Sequence, residues 1–207
     1  MNDHPPREHR LSVTRGARCY TLGGASATEA WVVLHGYGQL ASRFLRSVEA
    51  LATPARLVVA PEGLSRFYLD AGGGKVGASW MTKEDRLREI EDYLAYLDLV
   101  RATLVPPLPL TVLGFSQGVA TAARWAVATR PTPVRLVAWG SLLPEDVPAT
   151  RLTSMHVTYV VGSGDEWAPP AQVEAQAAVL RLARVSVDVL GFDGGHEIRA
   201  SELARLT

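Results

Sequence analysis

The chain has 207 residues, of which 47% are hydrophobic, and its 21 basic and 21 acidic residues give a formal net charge of zero. A chain of this length can bury most of its apolar surface around one core, and its balanced charge predicts neither a nucleic acid nor an anionic membrane as partner. The sole cysteine, Cys19, permits no intrachain disulfide and no cysteine metal cluster, and the five histidines lack paired ligand spacing, so we predict no metal site.

The first ten residues are polar and include Pro5 and Pro6. We predict a flexible tail over 1–10 and a single domain over 11–207. The polar start lacks the apolar core of a signal peptide, and the sequence contains no apolar stretch long enough to span a bilayer. These features predict a cytoplasmic protein without stable membrane insertion.

The N-terminal part of the domain predicts three strands and a helix. Residues 11–15 and 17–22 flank Gly16 and predict an antiparallel hairpin at one edge of a sheet. The continuous apolar run 30–35 predicts a strand that is buried on both faces. Apolar residues at helical spacing in 40–52 predict a helix that ends before the next proline.

Residues 56–60 predict another buried strand. The glycine-rich segment that follows, up to Trp80, shows no periodicity, and we interpret it as a long functional loop that lines a pocket. A capping-box pattern begins at Thr82. Apolar positions at helical spacing then predict a long amphipathic helix that ends at Pro106.

The apolar run 110–115 leads into Gly-Phe-Ser-Gln-Gly, and a helical run of small residues follows. This order is typical of the strand, sharp turn and helix of a nucleophile elbow. Gly114 and Gly118 leave the space that the strained turn needs. We predict Ser116 as the nucleophile and the Gln117 N–H as an oxyanion donor. An ordinary turn with Ser116 as a helix N-cap is the alternative.

A second turn follows the predicted strand 30–35, where the sequence is His35-Gly36-Tyr37-Gly38. Because its glycines allow the backbone to approach a ligand, we predict the Tyr37 N–H as the second oxyanion donor. A plain loop between a strand and a helix is the alternative. We expect His35 to hold this loop by hydrogen bonds.

Three further buried strands are predicted over 134–139, 157–161 and 185–190, with a helix over 173–182. Strands that alternate with helices predict an α/β fold, in which helices flank a mostly parallel central sheet on both faces. The chain length leaves little room for a large cap domain. In such a sheet, reacting groups gather at the carboxyl ends of the strands.

An elbow serine needs an imidazole that takes its proton and a carboxylate that orients the imidazole, both later in the chain. His196 lies in a glycine-rich loop after 185–190, and Asp165 follows 157–161. We therefore predict His196 as the base and Asp165 as the acid, with a surface loop histidine as the alternative for His196. The alternatives for the acid are Asp193, Asp188, Glu62 and Glu145.

Aromatic and leucine side chains on irregular segments beside this edge predict an open, shallow acyl site, although each could equally anchor its own loop in the core. These side chains belong to Phe67, Tyr68, Trp80, Leu142, Leu143 and Trp167.

Together these motifs resemble the α/β-hydrolase superfamily and, within it, the phospholipase/carboxylesterase group of small serine esterases that includes acyl-protein thioesterases. The similar pieces are 34–38, Ser79-Trp80, 114–118, Asp165 with Pro169, and Gly195-His196. The resemblance implies ester or thioester hydrolysis through an acyl-enzyme, with no cofactor. The sequence departs from the group at Trp167 and in the glycine-rich segment 71–77, and both departures bear on acyl specificity.

We therefore expect a serine carboxylesterase that hydrolyses small or medium-chain carboxylic esters. An acyl-protein thioesterase or lysophospholipase-type activity is the alternative within the same chemistry. The alternative from another class is a non-catalytic hydrolase-fold protein that binds a small ligand or a partner. The sequence leaves a monomer and a homodimer both open.

Overall fold

A computed structural model describes residues 6–207. Of the predicted tail 1–10, residues 1–5 lie outside the described residues, and residues 6–18 have no regular secondary structure. The division of the chain into a tail and a single domain stays a prediction.

The described residues contain nine strands, five α-helices and three short 3-10 helices. The strands are β1 (Cys19–Gly23), β2 (Glu29–Leu34), β3 (Arg56–Pro61), β4 (Ser65–Tyr68), β5 (Val76–Ser79), β6 (Leu110–Phe115), β7 (Arg135–Trp139), β8 (His156–Gly162) and β9 (Ser186–Phe192). The α-helices are α1 (Ala41–Ser47), α2 (Arg86–Leu104), α3 (Gln117–Ala128), α4 (Pro170–Leu182) and α5 (Ala200–Leu203). The 3-10 helices are Glu49–Leu51, Ala149–Arg151 and Ala204–Leu206.

The central sheet has seven strands in the spatial order β1, β3, β2, β6, β7, β8, β9. Only β1 runs antiparallel to its neighbour, and every other adjacent pair is parallel. The carboxyl ends of the parallel strands therefore meet at one edge of the sheet, where ligands bind in open α/β folds.

Alternate residues of the central strands supply two separate cores because successive side chains point to opposite faces of the sheet. In β2, Ala30, Val32 and Leu34 pack with α2, α3 and α4 on one face. Trp31 and Val33 pack with α1 and α5 on the other face. Helices thus cover both faces of a mostly parallel sheet, which confirms the predicted fold class.

Only one of the two strands predicted for an N-terminal hairpin forms. Residues 11–15 are irregular and exposed, whereas the second predicted strand is β1, which pairs antiparallel with β3 from Cys19 opposite Pro61 to Gly23 opposite Leu57. An isolated two-stranded ribbon is marginally stable in water. Pairing with the edge of β3 instead joins β1 to a sheet that has a packed core.

A different hairpin forms in 63–80, which the sequence suggested was an irregular loop. β4 and β5 pair antiparallel from Ser65 opposite Ser79 to Tyr68 opposite Val76. The hairpin packs tightly onto the turn after β2, since a Cβ on Gly77 would lie 2.4 Å from the Gly38 carbonyl oxygen. The glycines of this segment, which in the sequence are typical of a loop, instead form the turn of the hairpin and allow this close approach.

Two helices have different ends from those predicted. The predicted helix 40–52 is α1 followed by the 3-10 helix Glu49–Leu51, and α2 begins at Arg86 because Asp85, with a φ of 47°, departs from the helical path. The Thr82 N–H still donates to the Glu89 carboxylate. Within residues 6–207, no helix is both long and apolar enough to cross a membrane.

Candidate active site

Ser116 lies at the turn between β6 and α3, with φ 53° and ψ −120°. A positive φ is strained for a residue with a side chain, and such strain concentrates at functional sites. The turn closes because its glycines carry no side chain. A Cβ on Gly114 would lie 2.4 Å from the Gly118 oxygen, and one on Gly118 would lie 2.3 Å from the Leu34 oxygen. The Ser116 N–H donates to the Trp139 carbonyl at 2.9 Å, which ties the turn to β7.

His196 and Asp165 are hydrogen-bonded to each other. The imidazole Nδ1 lies 2.9 Å from Asp165 Oδ2 and 3.1 Å from Oδ1. Asp165 is buried in the loop after β8, and its Oδ1 also accepts from the backbone N–H groups of Trp167 and Ala168 at 2.9 and 3.0 Å. This arrangement leaves Nε2 as the imidazole nitrogen that is available to a ligand or to a serine.

Two contacts place His196 beside the serine turn. Its ring centroid is 4.9 Å from that of Phe115, the residue before Ser116. It also packs on Gly140, the residue after Trp139, so closely that a Cβ there would lie 3.0 Å from the imidazole Cε1. The hydrogen bonds of the imidazole within the described residues are both to Asp165. A catalytic serine–histidine bond often shortens only when substrate binds.

The other carboxylates considered as the acid lie elsewhere. Asp193 accepts from the Ser163 hydroxyl at 3.3 Å. Asp188 pairs at 3.0 Å with the histidine that begins β8, at the opposite end of the sheet. Glu62 is buried against the Arg18 guanidinium at 2.6 Å, and Glu145 is exposed. Among the described carboxylates, Asp165 is therefore the one bonded to His196.

His35 is buried directly after β2, and within the described residues its imidazole bonds only to backbone groups. Its Nε2 accepts from the Gly63 N–H at 3.0 Å, so Nδ1 carries the proton and donates to the Gly36 carbonyl at 2.8 Å. Burial lowers the pKa of this imidazole, against smaller raising effects from the Gly36 carbonyl and Glu62. A neutral ring with both nitrogens occupied holds the loop, as the sequence predicts.

The two predicted oxyanion donors lie on neighbouring elements. Gln117 is the first residue of α3, and Tyr37 follows Gly36, where a Cβ would lie 3.2 Å from the Ser116 Cβ. Neither the Tyr37 nor the Gln117 backbone N–H donates to a backbone acceptor within residues 6–207. Both N–H groups remain available near the serine.

The six side chains predicted for the acyl site divide into buried and accessible ones. Trp80 and Leu143 are buried core residues, which corrects their assignment to the rim. The indole N–H of the buried Trp80 donates to the His35 carbonyl at 2.8 Å, which satisfies the polar atom of the ring. Leu142 is partly buried against the same core.

Phe67 and Trp167 border the site and are accessible. Trp167 is 80% exposed, and its ring lies 6.3 Å from that of His196. Tyr68 is 66% exposed, but it follows Phe67 in β4, so its side chain points to the opposite face of the strand. Phe67 is half-buried against the Tyr37 ring, at a centroid distance of 5.1 Å.

Sequence reasoning missed three contributors to the site. The Tyr37 side chain is 60% exposed and Leu69 is 45% exposed, and Leu69 packs on the turn at Gly38. The third is Gly140, with a φ of 66°, where a side chain would displace His196. Its position directly after a predicted strand was the available signal, since glycines at that place often permit close approach.

We name Tyr37, Phe67, Leu69 and Trp167 the apolar rim.

Within the described residues, no group of three or more His, Cys, Asp or Glu side chains is arranged to hold a metal ion.

Solved structures share the architecture. Zea mays acyl-protein thioesterase 2 matches with a TM-score of 0.70 at 19% identity, over 92% of this chain and 96% of that one. A Mesorhizobium loti carboxylesterase matches with a TM-score of 0.70 at 20% identity, over 92% and 91%, and esterase PE8 with 0.68 at 21%, over 92% and 95%. No family model and no curated protein matches the chain. The likeness shows that the chain has the α/β-hydrolase fold.

Proposed function

We propose that the chain is a serine hydrolase that cleaves small or medium-chain carboxylic esters through an acyl-enzyme. The observation that carries this proposal is the position of His196. Its Nδ1 is held 2.9 Å from the buried Asp165 carboxylate, while its ring packs against Phe115, next to the strained Ser116. A serine, an imidazole and a carboxylate in this order and placement are the parts that nucleophilic acyl transfer requires.

The reaction follows from these roles. As the Ser116 oxygen bonds to the ester carbonyl carbon, its proton passes to His196 Nε2, and Asp165 keeps the other imidazole nitrogen protonated and stabilises the imidazolium. His196 then returns the proton to the leaving alcohol, which departs and leaves the acyl group on Ser116. Water repeats the step and releases the carboxylic acid.

We assign the stabilisation of the negative charge that develops on the carbonyl oxygen to the backbone N–H groups of Tyr37 and Gln117. Support comes from their place beside Ser116 and their lack of backbone acceptors in the described residues. The Gln117 N–H is also at the N-terminus of α3, where the helix dipole favours negative charge.

The accessibility of the apolar rim favours small or medium acyl groups as substrates, since exposed side chains can cover only part of a bound acyl chain. Thioesters remain the alternative because one structural neighbour is an acyl-protein thioesterase. A series of esters and thioesters of rising chain length separates the two substrate classes, and a sharp optimum at long chains would contradict the shallow site. Cytoplasmic location and a monomeric or homodimeric state stay predictions.

The first test replaces Ser116 by Ala and measures hydrolysis of p-nitrophenyl acetate and butyrate. We expect the rate to fall by roughly four to six orders of magnitude, as losses of triad nucleophiles do. Ser163→Ala is the matched control, because Ser163 lies in the loop that carries Asp165 and, among the described residues, its hydroxyl bonds only to Asp193. Its rate should stay near that of the unmodified protein. An active Ser116→Ala variant would show that the nucleophile is wrong.

A fluorophosphonate probe tests the alternative of a non-catalytic binding protein. Covalent labelling of the unmodified chain, with none in Ser116→Ala, demonstrates an activated serine. A folded chain that takes no label would instead favour the binding protein.

A further inference from the structure

The two proposed oxyanion donors belong to different elements, so something must hold them at a fixed separation. Tyr37 lies on the turn after β2, and Gln117 begins α3. Donors contribute to catalysis only when they already point at the place where charge develops. The segment from Ser79, the last residue of β5, to Met81 contacts both turns and is the connection between them.

The side chain of Gln117 is fully occupied by this segment. Its Oε1 accepts from the Trp80 backbone N–H at 3.1 Å, and its Nε2 donates to the Met81 carbonyl at 2.9 Å. The Ser79 hydroxyl lies 3.1 Å from Nε2 and 3.3 Å from Oε1. These bonds use both polar atoms of the amide, so the amide has no free hydrogen-bonding group to offer a substrate. Its contacts instead fix the residue whose backbone N–H begins α3.

Trp80 continues the connection to the other turn. Its indole N–H donates to the His35 carbonyl at 2.8 Å, and its ring lies 5.0 Å from the His35 imidazole, with the planes 31° apart. The carbonyl and the ring of His35 are therefore both held by one buried side chain.

His35 in turn orients the peptide group that carries the Tyr37 N–H. That planar group contains the Gly36 carbonyl and the Tyr37 N–H, which point in opposite directions in a trans peptide. The Gly36 oxygen accepts from His35 Nδ1 at 2.8 Å and from the Gln39 N–H at 3.2 Å. Fixing the oxygen on one side fixes the N–H on the other.

We propose that His35, Trp80 and the Gln117 side chain form an oxyanion brace, a set of positioning residues that holds the Tyr37 and Gln117 N–H groups at the separation the transition state requires. The proposal rests on the proposed function. The brace contacts neither substrate nor reacting atoms, and it acts through the two backbone groups. Its loss should therefore weaken transition-state binding while leaving ground-state binding intact.

The principal test is Trp80→Phe, which keeps an aromatic ring over His35 and removes the indole N–H. We expect kcat for p-nitrophenyl butyrate to fall about 10- to 100-fold, less than the loss of an entire oxyanion donor. KM should change less than about threefold, and the Ki of a butyl boronic acid, whose tetrahedral serine adduct places an oxygen at the donors, should rise by the same factor as kcat falls.

Trp125→Phe is the matched control. Trp125 is also fully buried, and its indole N–H donates at 2.8 Å to Asp98 of α2, away from both turns. This variant should lose a comparable amount of thermal stability while keeping kcat and the boronic acid Ki. Equal kinetic losses in the two variants would mean that Trp80 has a general packing role, which overturns the proposal.

Gln117→Met keeps the test decisive if Trp80→Phe does not fold, since it retains side-chain length and removes all the amide bonds. The same pattern in kcat and Ki is expected, and unchanged kinetics in either folded variant would refute the brace. Fluorophosphonate labelling of the unmodified chain distinguishes failure of the proposed function from failure of the oxyanion brace. Absent labelling means that the proposed function fails, whereas normal labelling with unaltered variant kinetics means that only the brace fails.

Discussion

The floor and the rim of the candidate site are built on opposite principles. We name the buried residues Asp165, His35 and Trp80 the floor. Their side chains bond to backbone groups, and Asp165 also bonds to His196. In the apolar rim, Tyr37 and Trp167 are mostly exposed, and the contacts are between apolar side chains. Proton transfer and charge stabilisation depend on distances of a fraction of an ångström. Acyl binding depends on apolar area and tolerates movement, so a change in the floor should alter turnover and a change in the rim should alter affinity.

The largest effect that tests this difference is expected from Asp165→Asn. Oδ1 of Asp165 is held by two backbone N–H donors, so an asparagine would keep its oxygen there and turn its NH2 group toward His196. The imidazole would then have to accept at Nδ1 and carry its proton on Nε2, where it cannot take the serine proton. We expect kcat to fall by about 10⁴, measured as the plateau rate with p-nitrophenyl butyrate.

Asp193→Asn is the control for that substitution. Asp193 lies in the glycine-rich loop that carries His196, but it accepts from Ser163 rather than from His196. Its replacement should cost little activity. A larger loss for Asp193→Asn than for Asp165→Asn would show that the acid has been assigned to the wrong carboxylate.

An intermediate effect is expected on stability at mildly acidic pH. Burial lowers the pKa of His35 in the folded chain, so the unfolded chain binds more protons as pH falls below about 6.5, the ordinary value for histidine. The contribution of His35 to the free energy of unfolding should therefore be greatest above that pH. Below it, the free energy of unfolding should decrease by at most about 1.4 kcal/mol per pH unit because of this site. Urea unfolding between pH 5.5 and 7.5 measures the slope.

His35→Asn should flatten that dependence, since asparagine preserves a donor to Gly36 and has no proton to gain. His9→Asn is its control, because His9 is exposed in the irregular N-terminal segment, and it should leave the slope as it is. If the slope persists in His35→Asn, the acid sensitivity arises elsewhere in the chain.

The smallest effect is expected from Trp167→Ala in the rim. The ring is close to His196 but mostly exposed, so a bound acyl group gains only part of the apolar burial that a closed pocket provides. KM for p-nitrophenyl butyrate should rise about two- to fivefold with kcat unchanged, which is the signature of lost uniform binding. Leu182→Ala is the control, as Leu182 is equally exposed at the end of α4. A fall in kcat without a change in KM would place Trp167 in the floor.

The sequence allowed most of the sheet to be predicted because its buried strands are continuous apolar runs. β2 and β6 are buried along nearly their whole length, and the turn at Ser116 is marked by glycines whose absence of a side chain is a steric necessity. Residues 11–15 and the hairpin of β4 and β5 were harder to predict. Both are short segments whose pairing depends on which backbone edge of a neighbouring strand is available. A local sequence pattern does not indicate that partner.

The sequence by itself determined the alternation of strands and helices, the strained turn at Ser116 and the order in which Asp165 and His196 follow it. Each of these depends on side-chain type at a local position. Only the tertiary structure decided that Asp165 is the carboxylate bonded to His196, that Trp80 is buried under His35, and that the Gln117 amide is used up by the segment after β5. These contacts join residues far apart in the chain, and their partners are selected by which buried polar atoms the fold leaves to be satisfied.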